Sequence, residues 1–196
     1  MGLGKQSKIL TNKQQELVLN YLSTTRYPTR NRTIFLLSVK SGLRSKEISN
    51  VTWEMVLTPE HEVGEVLNIT NKMSKGKNGG RVIPLNRELR DTLIMLWSET
   101  VDKTPTNNII RTERSPSTSP QVIVNTFKRW YGELNLVGCS SHSGRRTFIT
   151  NTSRKISTVG GSLRDIQQLA GHRSIQTTQR YIETDTDSQR KVVNLV

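Results

Sequence analysis

The stretch that decides how this chain reads is 141–181, which opens SHSGRRTFIT (141–150) and closes LRDIQQLAGHRSIQTTQRY (163–181). Between Gly138 and Tyr181 stand seven basic side chains (Arg145, Arg146, Arg154, Lys155, Arg164, Arg173 and Arg180) against one acid, Asp165. Two histidines, His142 and His172, share that cationic field with Tyr181, nine residues beyond the second of them (181 − 172 = 9). Arginine presents a planar fork that matches two phosphate oxygens. Imidazole exchanges protons near neutral pH, and a phenol becomes a nucleophile once its ionisation is assisted. This set suits a phosphodiester that is held, charge-stabilised and attacked. The same stretch predicts a helix from about His142, a Ser/Gly linker through Gly161, a helix capped by Ser162 and ending at Gly171, and a short helix carrying Tyr181.

Working outward, the chain reads as mainly α with a small antiparallel β-hairpin. Residues 1–10 are polar and glycine-containing, a flexible lead-in. Thr11 caps a helix through NKQQELVLNYL (12–22), which Tyr27-Pro28 breaks. A second helix fits RNRTIFLLSVK (30–40), with Gly42 placed to end it left-handed. Arg44 opens a short third, RSKEISNV (44–51). EVLNIT (65–70) and RVIPL (81–85), joined by a glycine-rich turn, form the hairpin, with Pro84 near a strand end where no ladder bond is lost. NRELRDTLIMLW (86–97) and PQVIVNTFKRWYGEL (120–134) are helical, and Tyr131 in the latter reads as core. Residues 103–120, rich in Thr, Ser, Pro and Asn, read as a surface loop or hinge. One domain over 11–181 and a tail over 182–196 complete the division.

The chain has 196 residues, enough to bury a core, and a net charge of +13 with pI near 10.3. Such an excess attracts polyanions, nucleic acid first. Binding to a phosphate backbone should weaken steeply with salt. The single cysteine, Cys139, cannot form an internal disulfide and suits a reducing compartment. No run is long and apolar enough for a signal peptide core or a membrane span, so a cytoplasmic protein with no membrane partner is expected.

A phenol is ionised in about one molecule in a thousand at pH 7, a handicap of roughly 4 kcal/mol that cationic neighbours must offset. Tyr181 has Arg180, Arg173 and His172 close in sequence, whereas Tyr21 and Tyr27 have no such set. His142 and Arg145, three apart, share a helix face, and Arg146 competes for the same role. Singly, each of these residues is more often solvated or packed than functional. Cys139 with His142 and His172 makes only a partial zinc set. GKNGG (76–80) lacks phosphate-loop spacing, and neither a metal nor a nucleotide cofactor is expected.

Four blocks then resemble, in order, the signatures of the tyrosine recombinase (phage integrase) family: SGLRSKEI (41–48), SKGKNGGRVIPL (74–85), HSGRR (142–146) and LAGHRSIQTTQRY (169–181). The likeness covers about residues 10–185. It implies the family's catalytic-domain fold and its chemistry, DNA strand cleavage and rejoining through a covalent 3′-phosphotyrosine. By that resemblance Arg44 and Arg145 clamp the scissile phosphate and Tyr181 attacks it. Lys75 protonates the departing 5′-oxygen, with Lys72 and Lys77 on the same turn as rivals for the role. His142 and His172 hydrogen-bond the phosphate, His142 being a candidate to take the tyrosine proton. Glu47 orients Arg44 by a salt bridge.

The resemblance also implies duplex DNA as partner, a tetramer on two sites, and accessory DNA-bending or recombinase proteins. The block positions leave no room for the family's amino-terminal clamp. Either a single-domain recombinase, like the fimbrial phase-switch invertases, or an excised catalytic half is expected. The tail 182–196 is expected to pack on a neighbouring protomer. Type IB topoisomerase-like relaxation and a non-catalytic DNA-binding regulator on the same scaffold remain the alternatives.

Overall fold

Helix α1, Asn12–Ser23, begins where Thr11 and Gln14 cap each other. The Thr11 hydroxyl accepts from the Gln14 amide at 3.2 Å, and the Gln14 side chain accepts from the Thr11 amide at 2.9 Å. This computed structural model describes residues 6–71, 80–113, 115–181 and 193. After a tight turn Pro28 starts α2, Pro28–Val39, at the first helical position, where its missing N–H costs nothing. Helix α2 is buried nearly all round, from Thr29 through Ile34–Leu37 to Val39, which makes it the central rod of the fold. Among its buried polar members, Thr33 donates to the Thr29 carbonyl at 2.8 Å and Thr29 to Glu99 at 2.7 Å, while the buried Ser38 hydroxyl, facing Gly144, has no hydrogen-bond partner among the described residues.

Four elements wrap α2: α1, α3 (Ser45–Asn50), α4 (Arg87–Glu99) and α6 (Ser143–Lys155). Helix α5, Pro120–Glu133, packs on α3 and contributes Phe127, Trp130 and Tyr131 to the core. Strands β1 (Val66–Ile69) and β2 (Arg81–Pro84) pair antiparallel, with Val66 opposite Pro84 and Ile69 opposite Arg81. Leu67, Ile69 and Ile83 face the core while Val82 faces out, the alternation a one-sided hairpin requires. Short helices α7 (Leu163–Ala170) and α8 (Ile175–Gln179) end the described fold. They sit on a separate small cluster of Ile149, Ile166 and Ala170, edged by Phe148, Ile156, Leu163 and Tyr181. Among the described residues no helix is long and apolar enough to cross a membrane.

Two expectations need correction. The 103–120 segment is not wholly on the surface. Ile109 and Ile110 are buried, and its backbone is stitched to 51–54 by Trp53 N–H to Asn107 O (3.1 Å), Glu54 N–H to Pro105 O (2.7 Å) and Ile109 N–H to Val51 O (2.9 Å). The lead-in is not loose at Ser7, Lys8 and Leu10. Leu10 is buried, its amide donates to Thr147 Oγ1 at 2.8 Å, and Lys8 N–H meets Gly138 O at 3.0 Å. The linker after α6 contains a 3-10 turn, Ile156–Val159, closed by Gly160 at φ 74°. The expected tail packing concerns residues outside those described, apart from Val193.

Candidate active site

The first half of the site is made where α2 ends. Gly42, at φ 64°, donates to the Ser38 carbonyl (3.1 Å) and reverses the chain, so that Arg44 becomes the N-cap of α3 and Glu47 its third residue. The Glu47 carboxylate accepts from the Arg44 amide at 2.8 Å and from Arg44 Nη1 at a longer 3.4 Å. Its stronger partner is a residue that sequence reading missed. Arg81, at the start of β2, reaches Glu47 with both terminal nitrogens, at 2.9 and 3.2 Å, and gives its Nε–H to the Leu169 carbonyl at 2.9 Å. Burial alone would raise the Glu47 carboxyl. The hydrogen bonds and charge of Arg81, then the amide and charge of Arg44, outweigh it and hold the group below the usual carboxylate range.

The second half comes from α6. Arg145 is 3% exposed and is oriented by two short bonds, Nη1 to Gly42 O and Nη2 to Ala170 O, both 2.6 Å. Those carbonyls belong to the turn after α2 and the C-terminus of α7, so one guanidinium ties together three elements. Gly144, just before it, permits this approach, since a Cβ there would lie 2.2 Å from Ser38 Oγ. Burial first, then the charges of Arg44 and Arg81, push the Arg145 pKa down to about 10, opposed by Glu47 and Tyr181. At neutral pH it stays a cation, desolvated and short of counter-charge, which is what an anion site needs.

Gly171, left-handed at φ 61°, ends α7 and turns His172 inward. The His172 backbone is clamped by Gln167 at both ends: its N–H donates to Gln167 O, and its carbonyl accepts from Gln167 Nε2, each at 3.0 Å. Its Nδ1 lies 3.0 Å from the buried Thr178 hydroxyl. That contact occupies Nδ1 and leaves Nε2 for a ligand. Burial, followed by Arg145, Arg44 and Arg81, pushes the imidazole pKa down to about 4 against the opposing charge of Glu47, so His172 is neutral at pH 7.

Tyr181 stands just past the end of α8 with its ring stacked on His172, centroids 5.4 Å apart and planes at 24°. Its carbonyl accepts from Thr150 Oγ1 at 3.2 Å. Tyr181, Arg145, Arg146, Arg180 and His142 all line a cavity of about 250 Å³, together with Gln6, Ser7 and Thr177. His142 is the exposed N-cap of α6 rather than a residue of its first turn, and it reaches this cavity from the rim. Arg146, on the same cavity, gives Nη1–H to the Ser7 carbonyl at 3.0 Å.

The structure thus gathers Arg44, Glu47, Arg145 and His172 into one charge-coupled cluster, with Tyr181 and His142 on the adjoining cavity. Lys75, with Lys72 and Lys77, lies outside the described residues. Arg81 and Thr178 were missed. The only sequence signals for them were an arginine opening an otherwise apolar strand, and a threonine at helical spacing from Tyr181. Among the described residues no group of three or more His, Cys, Asp or Glu side chains could hold a metal ion.

Comparison with known proteins places this geometry. The profile of the phage integrase family matches residues 8–188. Tyrosine recombinase XerA of Thermococcus onnurineus is 29% identical over 186 residues, an alignment spanning 94% of this chain and 61% of that protein. A crystal structure of XerA recombinase superposes with a TM-score of 0.74 at 18% identity, covering 97% of this chain and 65% of that one. The XerH site-specific recombinase bound to difH substrate in a pre-cleavage complex gives 0.71 at 18% identity, covering 98% and 55%. The chain therefore spans somewhat under two thirds of each of these relatives.

Proposed function

The chain belongs to the phage integrase family, and from that premise we propose that it cleaves and rejoins duplex DNA as a site-specific recombinase. The observation that carries the reading is the convergence of two guanidiniums, Arg44 and Arg145, on a neutral imidazole against which Tyr181 is stacked. The Tyr181 oxygen attacks phosphorus and the bond to the 5′-oxygen breaks. A 3′-phosphotyrosine forms, and the freed 5′-hydroxyl later reverses the step. Arg44 and Arg145 stabilise the charge on the non-bridging oxygens, Arg145 as a dry, prefixed cation that does so better than water. His172, neutral and fixed by Thr178, donates from Nε2 to one of those oxygens. His142 accepts the tyrosine proton, and Lys75 supplies one to the leaving 5′-oxygen. Two copies on each of two DNA sites would complete strand exchange.

Duplex DNA as the substrate is supported by the net charge of +13 and by the XerH complex with its DNA. The test is a duplex nicked close to the scissile phosphate, which traps the covalent adduct. Wild-type protein is expected to form a denaturant-resistant protein–DNA adduct, and Tyr181→Phe is expected to bind the duplex while forming none. An adduct from the Phe variant would place the nucleophile elsewhere. Binding without any adduct from the wild type would leave no catalytic role for the site.

A further inference from the structure

Among the described residues the cluster holds three guanidiniums, Arg44, Arg81 and Arg145, and one carboxylate, Glu47, and the sharing of that carboxylate is unequal. Arg81 takes both oxygens at 2.9 and 3.2 Å, whereas the Arg44 side chain touches one at 3.4 Å. The Arg81 side chain is 5% exposed and that of Arg44 is 36% exposed. Arg81 is also fixed from behind, its Nε–H on the Leu169 carbonyl and Gly171 packed so close that a Cβ there would sit 2.7 Å from its Nη1.

We propose that Arg81 is a positioning residue whose role is to occupy Glu47 and so keep the Arg44 guanidinium free for the phosphate. The proposal deepens the recombinase reading, since it rests on Arg44 serving as a phosphate clamp. A buried carboxylate stripped of its partner takes the nearest cation. Here that is Arg44, three residues back on the same helix start and already in marginal contact. Without Arg81, Arg44 turns onto Glu47 and is withdrawn from the anion. The Arg81–Glu47 pair is neutral, so it holds geometry without spending the positive field that Arg44 and Arg145 present. Glu47 alone would therefore not hold Arg44 correctly: it would hold it too well.

This account makes a prediction that a simple packing role does not. In single-turnover cleavage of the nicked duplex at saturating DNA, Arg81→Met is expected to slow adduct formation on the order of 10–100-fold, as a displaced clamp would. DNA affinity should be nearly unaltered. Adding Glu47→Gln to Arg81→Met removes the trap, keeps an acceptor for the Arg44 amide, and should recover most of the lost rate. A double variant as slow as the single one, or an Arg81→Met protein that cleaves at the wild-type rate, overturns the proposal. If Arg81→Met does not fold, Arg81→Lys and Arg81→Lys/Glu47→Gln carry the same comparison with a single bond in place of two. An independent arm needs no activity. The DNA-free crystal structure of the Arg81 variant should show the Arg44 guanidinium on both Glu47 oxygens, and an unmoved Arg44 overturns the proposal. Absence of adduct from the wild type sinks the proposed function, and the crystallographic arm still judges the positioning.

Discussion

At the scale of single residues, His172 shows how the site sets protonation without a catalytic carboxylate. Its imidazole is buried, stacked on Tyr181, and faces the charges of Arg145, Arg44, Arg81 and Glu47. A base whose pKa falls from 6.5 to about 4 on folding refuses a proton that the unfolded chain accepts. Its contribution to stability is thus complete above about pH 6.5 and is lost as pH falls toward 4, with a slope of up to about 1.4 kcal/mol per pH unit. Glu47, also held below its ordinary value, adds an acid loss only lower, in and beneath the carboxylate range. Between pH 6.5 and 5, urea midpoints of the wild type should therefore fall more steeply than those of His172→Gln. Parallel curves would mean that the imidazole takes up its proton alike in the folded and unfolded chain. DNA phosphate beside the ring favours its charged form, so NMR titration should show the His172 pKa rising when duplex is bound. His172 was legible in its place beside Tyr181 from the four-block resemblance that holds both residues. Its partner Thr178 was not, because a threonine in a polar helix gives no sign that it turns inward.

At the scale of elements, the decisive contact is α2 against α6, where Gly144 meets Ser38. A methyl group there would be 2.2 Å from Ser38 Oγ, 2.8 Å from its Cβ and 3.1 Å from Val39 Cγ1. Rotating one hydroxyl cannot clear all three, so the helices must part. Gly144→Ala is expected to cost about 1–3 kcal/mol in denaturant unfolding, despite alanine's better helix propensity. Gly132 in α5, with nothing within 4 Å of its Cβ position, is the control. Gly132→Ala should be neutral or stabilising by up to about 1 kcal/mol. Equal effects at the two positions would mean that α2 and α6 tolerate separation. Element boundaries were readable because caps are local: Thr11 with Gln14, Ser162 with Asp165, and the left-handed Gly42 and Gly171 lie within a few residues of what they terminate. The 103–120 segment misled because its polar composition hides Ile109 and Ile110, whose burial depends on backbone bonds to 51–54, some fifty residues away. Arg81 escaped for the same reason: its partner Glu47 is 34 residues off, and strand alternation alone does not distinguish a buried arginine from an exposed one.

At the scale of the whole molecule, the apolar interior of the described residues divides in two. The large cluster runs from Leu10 to Leu136 and holds α1–α5 with the hairpin, and so the platform for Arg44 and Glu47. Among the described residues the small one has three buried members, Ile149, Ile166 and Ala170, and carries the elements that present His172 and Tyr181. Sequence periodicity could mark each apolar face but not which faces meet. Few buried contacts mean a low opening free energy, and elements that deliver a reacting group are drawn from that end of the stability range. Arg145 bridges the two parts through Gly42 O and Ala170 O, so occupancy of its anion site should stiffen the weaker one. In native-state hydrogen exchange, amides of α7 and α8 are expected to open well before those of Ile34–Leu37 in α2. Duplex binding should raise protection over 163–181 more than in α2. Uniform protection throughout, or stiffening confined to the large cluster, would show that the tyrosine-bearing end is as firmly built as the platform. Delivery of Tyr181 to the phosphate would then be a property of a rigid site, not of a separately mobile segment.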